Sequence, residues 1–533
     1  MTTLTADAVV VGGGHHGLVA AAVLADAGWD VCLLESTSTL GGAVRSEERH
    51  PGFVTDVFSA FYPLTAASPI MRSLELERHG LRWAHAPSVL AHPPRPDGAP
   101  AGVLHRDRDR TATGLAEHHP PDGDAWLRLC EQWDAIGPAF LRTIFTAFPP
   151  VRGPAELLRR IGTAEALRFA RFLALPARRM GEELFGSEAA RLLLAGNAVH
   201  ADAPPDATVS GVFGWMLAML GQNYGFPTPV GGTGRLADAL ASRARSAGAD
   251  LRTGEHVESI EVSGGRAVAV RTASGLTVRV RRAVVADVSA PLLYGELLPA
   301  DALPSRLRSD LQRFAWDSAV VKLNWALEGP VPWRAAGVAG AGTVHLGADE
   351  LGLARWSADI ESRTLPASPF MLLGQMTTAD AERSPAGTES VWAYTHLPRG
   401  ISDDASAERL AERMEAVIED FAPGFGARVL HRDLQRPGDL QGANPNLMHG
   451  AVNGGTAQLF QQLVFRPVTG LGRAETVVDG LYLGSASAHP GGGVHGACGY
   501  IAARAALAQN GSLGWLRRRI TSAALDLVYR DPS

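Results

Sequence analysis

"DAVVVGGGHHGLVAAAVLADAGWDVCLLE", residues 7–35, decides the fold. Asp7 to Val11 make a short apolar run suited to a strand buried on both faces. Small residues at helical spacing then fill the stretch from Gly12 to Ala27, and Gly28 stops the helix. "DVCLLE" repeats the buried-strand pattern. Gly12, Gly14 and Gly17 fill a GxGxxG spacing: the first makes a tight turn, the second lets backbone approach a pyrophosphate, and the third brings helix onto strand. The helix N-terminus adds free N–H groups and partial positive charge where a diphosphate would lie. Glu35 ends the second strand about 20 residues further on, where a carboxylate accepts ribose hydroxyls and repels a 2′-phosphate. Strand, glycines, helix, strand and acid therefore follow the order of a βαβ dinucleotide-binding unit. His15 and His16 are expected as exposed or backbone-neighbouring residues beside the phosphates, because adjacent helical positions diverge by about 100°, too far for a metal pair.

Around this unit the chain is long enough, at 533 residues, for about three or four domain-sized units and a large core. Its 46% hydrophobic and 20% charged residues are ordinary for a globular enzyme, and a net charge of -6 gives no basic excess for nucleic acid. Cys32, Cys130 and Cys498 are far apart and form no CxxC pair, so neither disulfides nor a cysteine metal cluster are expected and a reducing compartment fits. Met1 to Thr5 leave no room for a signal peptide before the first strand, and the apolar run Phe213 to Leu220 is far below the roughly 18 to 20 residues of a membrane span. The expectation is a cytoplasmic protein, with peripheral contact at the inner face of the membrane as an extension discussed below.

Directly after Glu35, "STSTLGGAVRSEE" carries Ser36, Gly41, Gly42, Ala43 and Arg45. It resembles the GG-x-x-R segment that wraps the FAD diphosphate and flavin in the flavin amine oxidase and phytoene desaturase superfamily. Residues 480–504, "GLYLGSASAHPGGGVHGACGYIAAR", are similar to the C-terminal flavin segment of carotenoid desaturases and isomerases: a strand ending at Gly484, a glycine loop, then a helix. Gly491 to Gly493 let backbone lie against a flat ring, and a helix starting near Val494 would aim its N-terminus at it. Between the two ends, Pro227 to Ser289 has the superfamily's order of GG turn, helix, alternating strands and closing buried strand, which places the Val257 backbone at the adenine. The resemblance covers nearly the whole chain. It is closest to the phytoene-desaturase-like group that takes in pyridine nucleotide-disulfide oxidoreductase domain-containing protein 2. Two departures are His16, where that group commonly has Asn, and "NLMHGAVNGGTAQLFQQLVFRP", which is longer than its counterpart and lacks the acid.

What this resemblance implies is an α/β protein: a Rossmann-like FAD-binding domain of the amine-oxidase type with an inserted α+β substrate domain. Residues 1–90, 225–300 and 470–510 would form the discontinuous FAD domain, 91–224 and 301–469 the substrate domain, and 511–533 a C-terminal amphipathic helix. FAD would be held by Gly12, Gly14, His15, His16, Gly17, Glu35, Ser36, Gly42, Ala43, Arg45, Val257, Gly484, Gly493 and Val494, with no metal.

Of 49 basic residues a single one, Lys322, is lysine. It lies in "WDSAVVKLNWALEGPVPW", where alternation from Ala319 to Leu327 predicts a strand with Lys322 on one face. The segment resembles the amine oxidase strand whose Lys reaches flavin N5 through a water; a compact cation there assists reoxidation by oxygen. His495, opening the last flavin-segment helix, is the candidate general base, while His489 is expected to fix its loop and His449 is a further candidate. "GVFGWMLAMLGQNYGF", residues 211–226, is read as core that also walls a cavity for an apolar substrate. Two stretches, Ala155 to Met180 and Ser512 to Tyr529, are basic and amphipathic; the second could dock on its own domain or lie on an anionic membrane. The expected function is an FAD-dependent oxidoreductase that takes hydride from an apolar small molecule to flavin N5, with oxygen or a quinone as acceptor. Alternatives are a flavin amine oxidase, a redox-neutral carotenoid-type isomerase, and a binding protein resembling GDP-dissociation inhibitors.

Overall fold

The computed structural model describes residues 2–201 and 203–530. Two seven-stranded sheets organise it. In the first, Thr2–Val11 lies between Leu276–Ala286 and Val31–Leu34, all parallel, with Asp250–Arg252 beyond Val31–Leu34. Leu276–Ala286 is shared: its first half pairs antiparallel with Arg266–Thr272, its last residues pair parallel with Leu481–Leu483. These strands are near-continuous runs of Val, Leu and Ala because helices cover them. His15–Asp26 and Ala497–Gln509 meet so closely that a Cβ on Gly499 would lie 1.9 Å from the His16 carbonyl oxygen. Val11 is in register with both Leu34 and Ala286, so Gly12, Glu35 and Asp287 emerge together at the carboxyl ends of three adjacent strands, where open α/β sheets bind ligands.

The second sheet runs Val429–Gln435, Val320–Leu327, Glu389–His396, Met371–Gln375, Ala341–Leu346, Ser88–His92, Gly102–Leu104, antiparallel except where Ala341–Leu346 meets Ser88–His92. Because Ser88–His92 belongs wholly to this sheet, the chain leaves the first unit before Ser88, and the expected boundary at residue 90 falls inside a strand. Val320–Leu327 is buried along its whole length: Val321, Leu323, Trp325 and Leu327 pack into the apolar cluster shared with helix Asp404–Phe421, leaving Lys322 and Asn324 on the opposite face. Helices Pro120–Ile144, Arg152–Ala174, Ala177–Leu184, Glu188–His200 and Ser210–Tyr224 form a cap. Gly162, at φ +73, breaks the basic stretch near 155–180, which is therefore several helical pieces rather than one.

The C-terminal helix, Gly514–Tyr529, docks through one face: the Tyr529 hydroxyl donates to the Thr469 carbonyl at 2.5 Å, and Val528 sits where a Cβ on Gly470 would be 2.8 Å away. Its opposite face exposes Leu516, Ile520 and Leu527. Among the described residues no helix is long and apolar enough to cross a membrane.

Candidate active site

A cavity of about 730 Å³ runs from the carboxyl ends of the first sheet to the face of the second. At one end Gly12 takes φ +100, and a Cβ there would sit 2.6 Å from the Asp287 carbonyl oxygen. The Gly17 N–H donates to Asp287 Oδ2 at 2.7 Å, and a Cβ on Gly17 would meet the Gly12 carbonyl oxygen at 2.1 Å. Glu35 joins two loops: Oε2 accepts the Gly13 N–H and Oε1 the Thr37 N–H, each at 2.8 Å. Gly42, at φ +58, presses on Gly14, so the second glycine pair closes over the first. Burial pushes the Asp287 carboxyl well up from its ordinary range, the nearby Glu35 adding to the rise and the Gly17 N–H opposing it. Ser289 Oγ, in a residue that lines the cavity, has no hydrogen-bond partner among the described residues. Glycines no side chain could replace, an unspent polar atom and the Arg45 guanidinium fit a dinucleotide diphosphate.

Of the residues predicted to hold a cofactor, Gly12, Gly14, His15, His16, Glu35 and Ser36 line this cavity, as do Gly42, Ala43, Arg45, Val257, Gly493 and Val494. Gly17 and Gly484 stand behind it; a Cβ on Gly484 would press on Val285 and Ala502, so its role is close packing of strand on helix. His16 differs from expectation: it is 1% exposed, wedged between the rings of His15 and His495, at 4.0 and 5.2 Å between centroids. Burial holds it neutral. His15 Nε2 lies 3.3 Å from the Gly493 carbonyl, bridging the two glycine loops.

His495 does not face the cavity, and the expected general base is corrected to a structural residue. Its Nδ1 accepts the Ala497 N–H at 3.0 Å and its Nε2 donates to the Gly491 carbonyl at 3.2 Å, so both nitrogens are engaged. Burial drives its pKa down to about 3. The helix accordingly begins at Ala497, not near Val494, with Gly496 in the left-handed region and His495 capping the free N–H. His16, His495 and Cys498 place ligand-type atoms within 4.8 Å of one another, but His495 has no nitrogen to spare. His489 ties its loop to the Thr146 carbonyl at 3.1 Å, and His449 is exposed.

Lys322 lines the cavity while only 3% exposed. Its Nζ donates to the Asp56 carbonyl at 2.5 Å, Asn324 Oδ1 at 2.6 Å and Gln435 Oε1 at 3.4 Å. Desolvation lowers its pKa to about 7, with Asp56 pulling the other way. Three residues that matter here escape sequence reading. Asp56 is a buried hub: its carboxylate accepts from Arg383 at 2.7 Å, the Thr233 N–H at 2.9 Å and the Ser46 hydroxyl at 2.8 Å. Arg466, 1% exposed, donates only to carbonyls, including Ala486 at 2.7 Å, Asn453 at 2.9 Å and Thr456 at 3.0 Å, and thereby clamps the loops behind Gly491. Asp287 had a signal: like Glu35, it follows a buried strand, "AVVAD". Part of the remaining wall is apolar, with Phe213, Met216 and Leu217 from helix Ser210–Tyr224 and Trp392 from the second sheet.

The sequence profile of flavin containing amine oxidoreductases matches residues 17–507. Pyridine nucleotide-disulfide oxidoreductase domain-containing protein 2 of Rattus norvegicus is 29% identical, over 93% of this chain and 92% of its own. A subunit of limonene dehydrogenase from Castellaniella defragrans is 22% identical over 93% and 94%. Among solved structures, cyclohexylamine oxidase from Brevibacterium oxydans superposes with a TM-score of 0.57 over 94% of this chain and 98% of that one, at 16% identity.

Proposed function

The chain belongs to the flavin containing amine oxidoreductase family, and on that premise we propose that it is an FAD-dependent dehydrogenase of the desaturase type, acting on an apolar small molecule. The observation that carries this reading is the continuity of one cavity, from the glycine turns and Glu35 to a chamber walled by Phe213, Met216, Leu217 and Trp392. Flavin, when bound, supplies hydride-accepting chemistry. Gly12, Gly14 and Arg45 would hold its diphosphate, Glu35 its ribose end, and Gly493 and Val494 would offer backbone to its ring. The apolar part of the chamber would exclude water and hold an apolar substrate by shape. Lys322 holds its proton at Nζ near neutrality, against the Asp56 carbonyl, Asn324 and Gln435. The names of limonene dehydrogenase and of a phytoene desaturase among the relatives support an apolar substrate. Lys322 and the fold shared with cyclohexylamine oxidase support the second reading, an amine oxidase.

The purified protein should carry the visible bands of oxidised flavin, recovered on supplying FAD after stripping. Under anaerobic conditions monoterpene or polyene hydrocarbons should bleach them while primary amines do not. Bleaching by amines alone would move the assignment to the second reading. Absent bands even with added FAD would leave a binding protein. We propose further that the outward stripe Leu516, Ile520 and Leu527, flanked by exposed Trp515, Arg517 and Arg519, rests on anionic lipid. The protein should cosediment with phosphatidylglycerol vesicles and not with phosphatidylcholine ones, and Leu516→Glu/Ile520→Glu should release it; unchanged sedimentation of the variant would remove the proposal.

A further inference from the structure

One end of the chamber is not apolar. His200, Thr343 and His396 line it, brought from the end of helix Glu188–His200 and from the strands Ala341–Leu346 and Glu389–His396. Thr343 is 1% exposed and its Oγ1 has no hydrogen-bond partner among the described residues; the same holds for His200 Nδ1. Behind them His345, two residues along the same strand and on the same face, is fully buried with both ring nitrogens unpartnered. Its ring lies 5.8 Å from His200 and 5.6 Å from His92, whose Nε2 is used on the Ala348 carbonyl at 2.9 Å. Gly196 makes room for this row: a Cβ there would stand 2.4 Å from His345 Nδ1 and 2.9 Å from His92 Nδ1.

Buried polar atoms are nearly always partnered in folded proteins, and Thr343 and His200, which line the cavity, each carry one that is not, so a group entering this end of the cavity can meet them. We propose that the end of the chamber at His200 and Thr343 binds a neutral hydrogen-bonding group, a hydroxyl or a carbonyl, on an otherwise apolar substrate. The inference rests on the dehydrogenase reading above and narrows its substrate class. Charge is disfavoured on either side. Burial holds His92, His200 and His345 neutral, so no cation waits for a carboxylate. The carboxylate beside His396, Asp317, is spent on the backbone N–H groups of Val452 and Asn453 at 2.7 and 3.0 Å, so it does not wait for an ammonium. Phe226 and Phe370, with rings 6.5 Å from His200 and 5.6 Å from His345, make the surroundings apolar, where one hydrogen bond discriminates strongly.

The test uses flavin-loaded protein and four probes of one shape: cyclohexanol, cyclohexanone, methylcyclohexane and cyclohexylammonium, titrated by perturbation of the flavin spectrum. Cyclohexanol and cyclohexanone should bind roughly five- to tenfold more tightly than methylcyclohexane. Thr343→Val, which keeps shape and removes the hydroxyl, should erase most of that margin without weakening methylcyclohexane, and Thr343→Ser should restore it. His200→Leu should act in the same direction as Thr343→Val. Equal binding of cyclohexanol and methylcyclohexane by the wild type would mean that buried water serves these atoms, and would overturn the inference. Tightest binding of cyclohexylammonium, or no binding of any probe, would overturn it as well. A protein that takes up no flavin fails the dehydrogenase reading instead, and is recognised before any probe is added.

Discussion

Gly17→Ala should yield a protein that holds flavin about ten- to a hundredfold more weakly than the wild type, or loses it during purification. A methyl at this position would lie 2.1 Å from the Gly12 carbonyl oxygen and 3.1 Å from Asp287 Oδ2. Neither neighbour can yield cheaply. Gly12 is fixed by φ +100 and by its N–H on the Leu34 carbonyl at 2.9 Å, while Asp287 is fixed by its own N–H on the Val11 carbonyl at 2.7 Å. Relief therefore requires the helix His15–Asp26 to lift from the sheet, which breaks the Gly17 N–H bond to Asp287 and opens the turn that cradles the diphosphate. Overpacking of this kind costs about 1–3 kcal/mol, and here all of it falls on the binding turn. The control is Gly114→Ala, half-buried in helix Arg108–His118 with nothing within 4 Å of the added methyl, where helix propensity makes the same change neutral or stabilising. Equilibrium titration of stripped protein with FAD reads the difference. Equal affinity in the two variants would mean that the turn is soft and that Gly17 is not needed for close approach.

The glycine turn was legible in the sequence because its constraints are local: a strand, a turn with no space for side chains and a helix follow one another in 29 residues, and each has its own composition. Glu35 could be read for the same reason. Of the second sheet one strand was legible, through alternation around Lys322; its pairing with strands from distant segments, and the helix Asp404–Phe421 that covers its apolar face, were hidden. His495 shows where local reading fails. A histidine just before a helix looks like an accessible base, but the structure spends its Nδ1 on a helix N–H and its Nε2 on a loop carbonyl, contacts a pattern of residue types does not encode. Arg466 and Asp56 were invisible for a stronger reason: their partners come from segments far away in sequence, such as Thr233 and Arg383 for Asp56. The histidine row beside Thr343 combines three separated segments, and no one of them carries a motif.

The stability cost of Lys322→Met should grow as the pH rises from acidic to basic. In the folded protein the Lys322 ammonium has a pKa near 7, against an ordinary value of 10.5, because burial penalises the charge more than Asp56 supports it. Below pH 7 both the folded and the unfolded chain carry this proton, and the burial penalty is present in full. Between pH 7 and 10.5 the unfolded chain still binds the proton and the folded one does not, so wild-type stability rises with pH by about 1.4 kcal/mol per unit from this residue. Methionine has no such term. Relative to the variant, the wild type should therefore gain about 2–3 kcal/mol between pH 7 and pH 9, read as the difference in denaturant unfolding free energies. At pH 6 the gap should be at its smallest, because the wild type then carries the full burial penalty, while the variant leaves the acceptors at Asp56, Asn324 and Gln435 without their donor at every pH. Buried tyrosines and cysteines titrate in both proteins and cancel in the difference. A gap that stays constant from pH 6 to pH 9 would show that Lys322 keeps an ordinary pKa and that its charge is solvated. The same variant separates structure from chemistry: it should retain flavin, since Lys322 touches none of the glycine turns, while reoxidation of the reduced protein in air slows by about 10²-fold and loses its dependence on pH near 7. Normal reoxidation with the predicted stability profile would make Lys322 a purely structural buried amine.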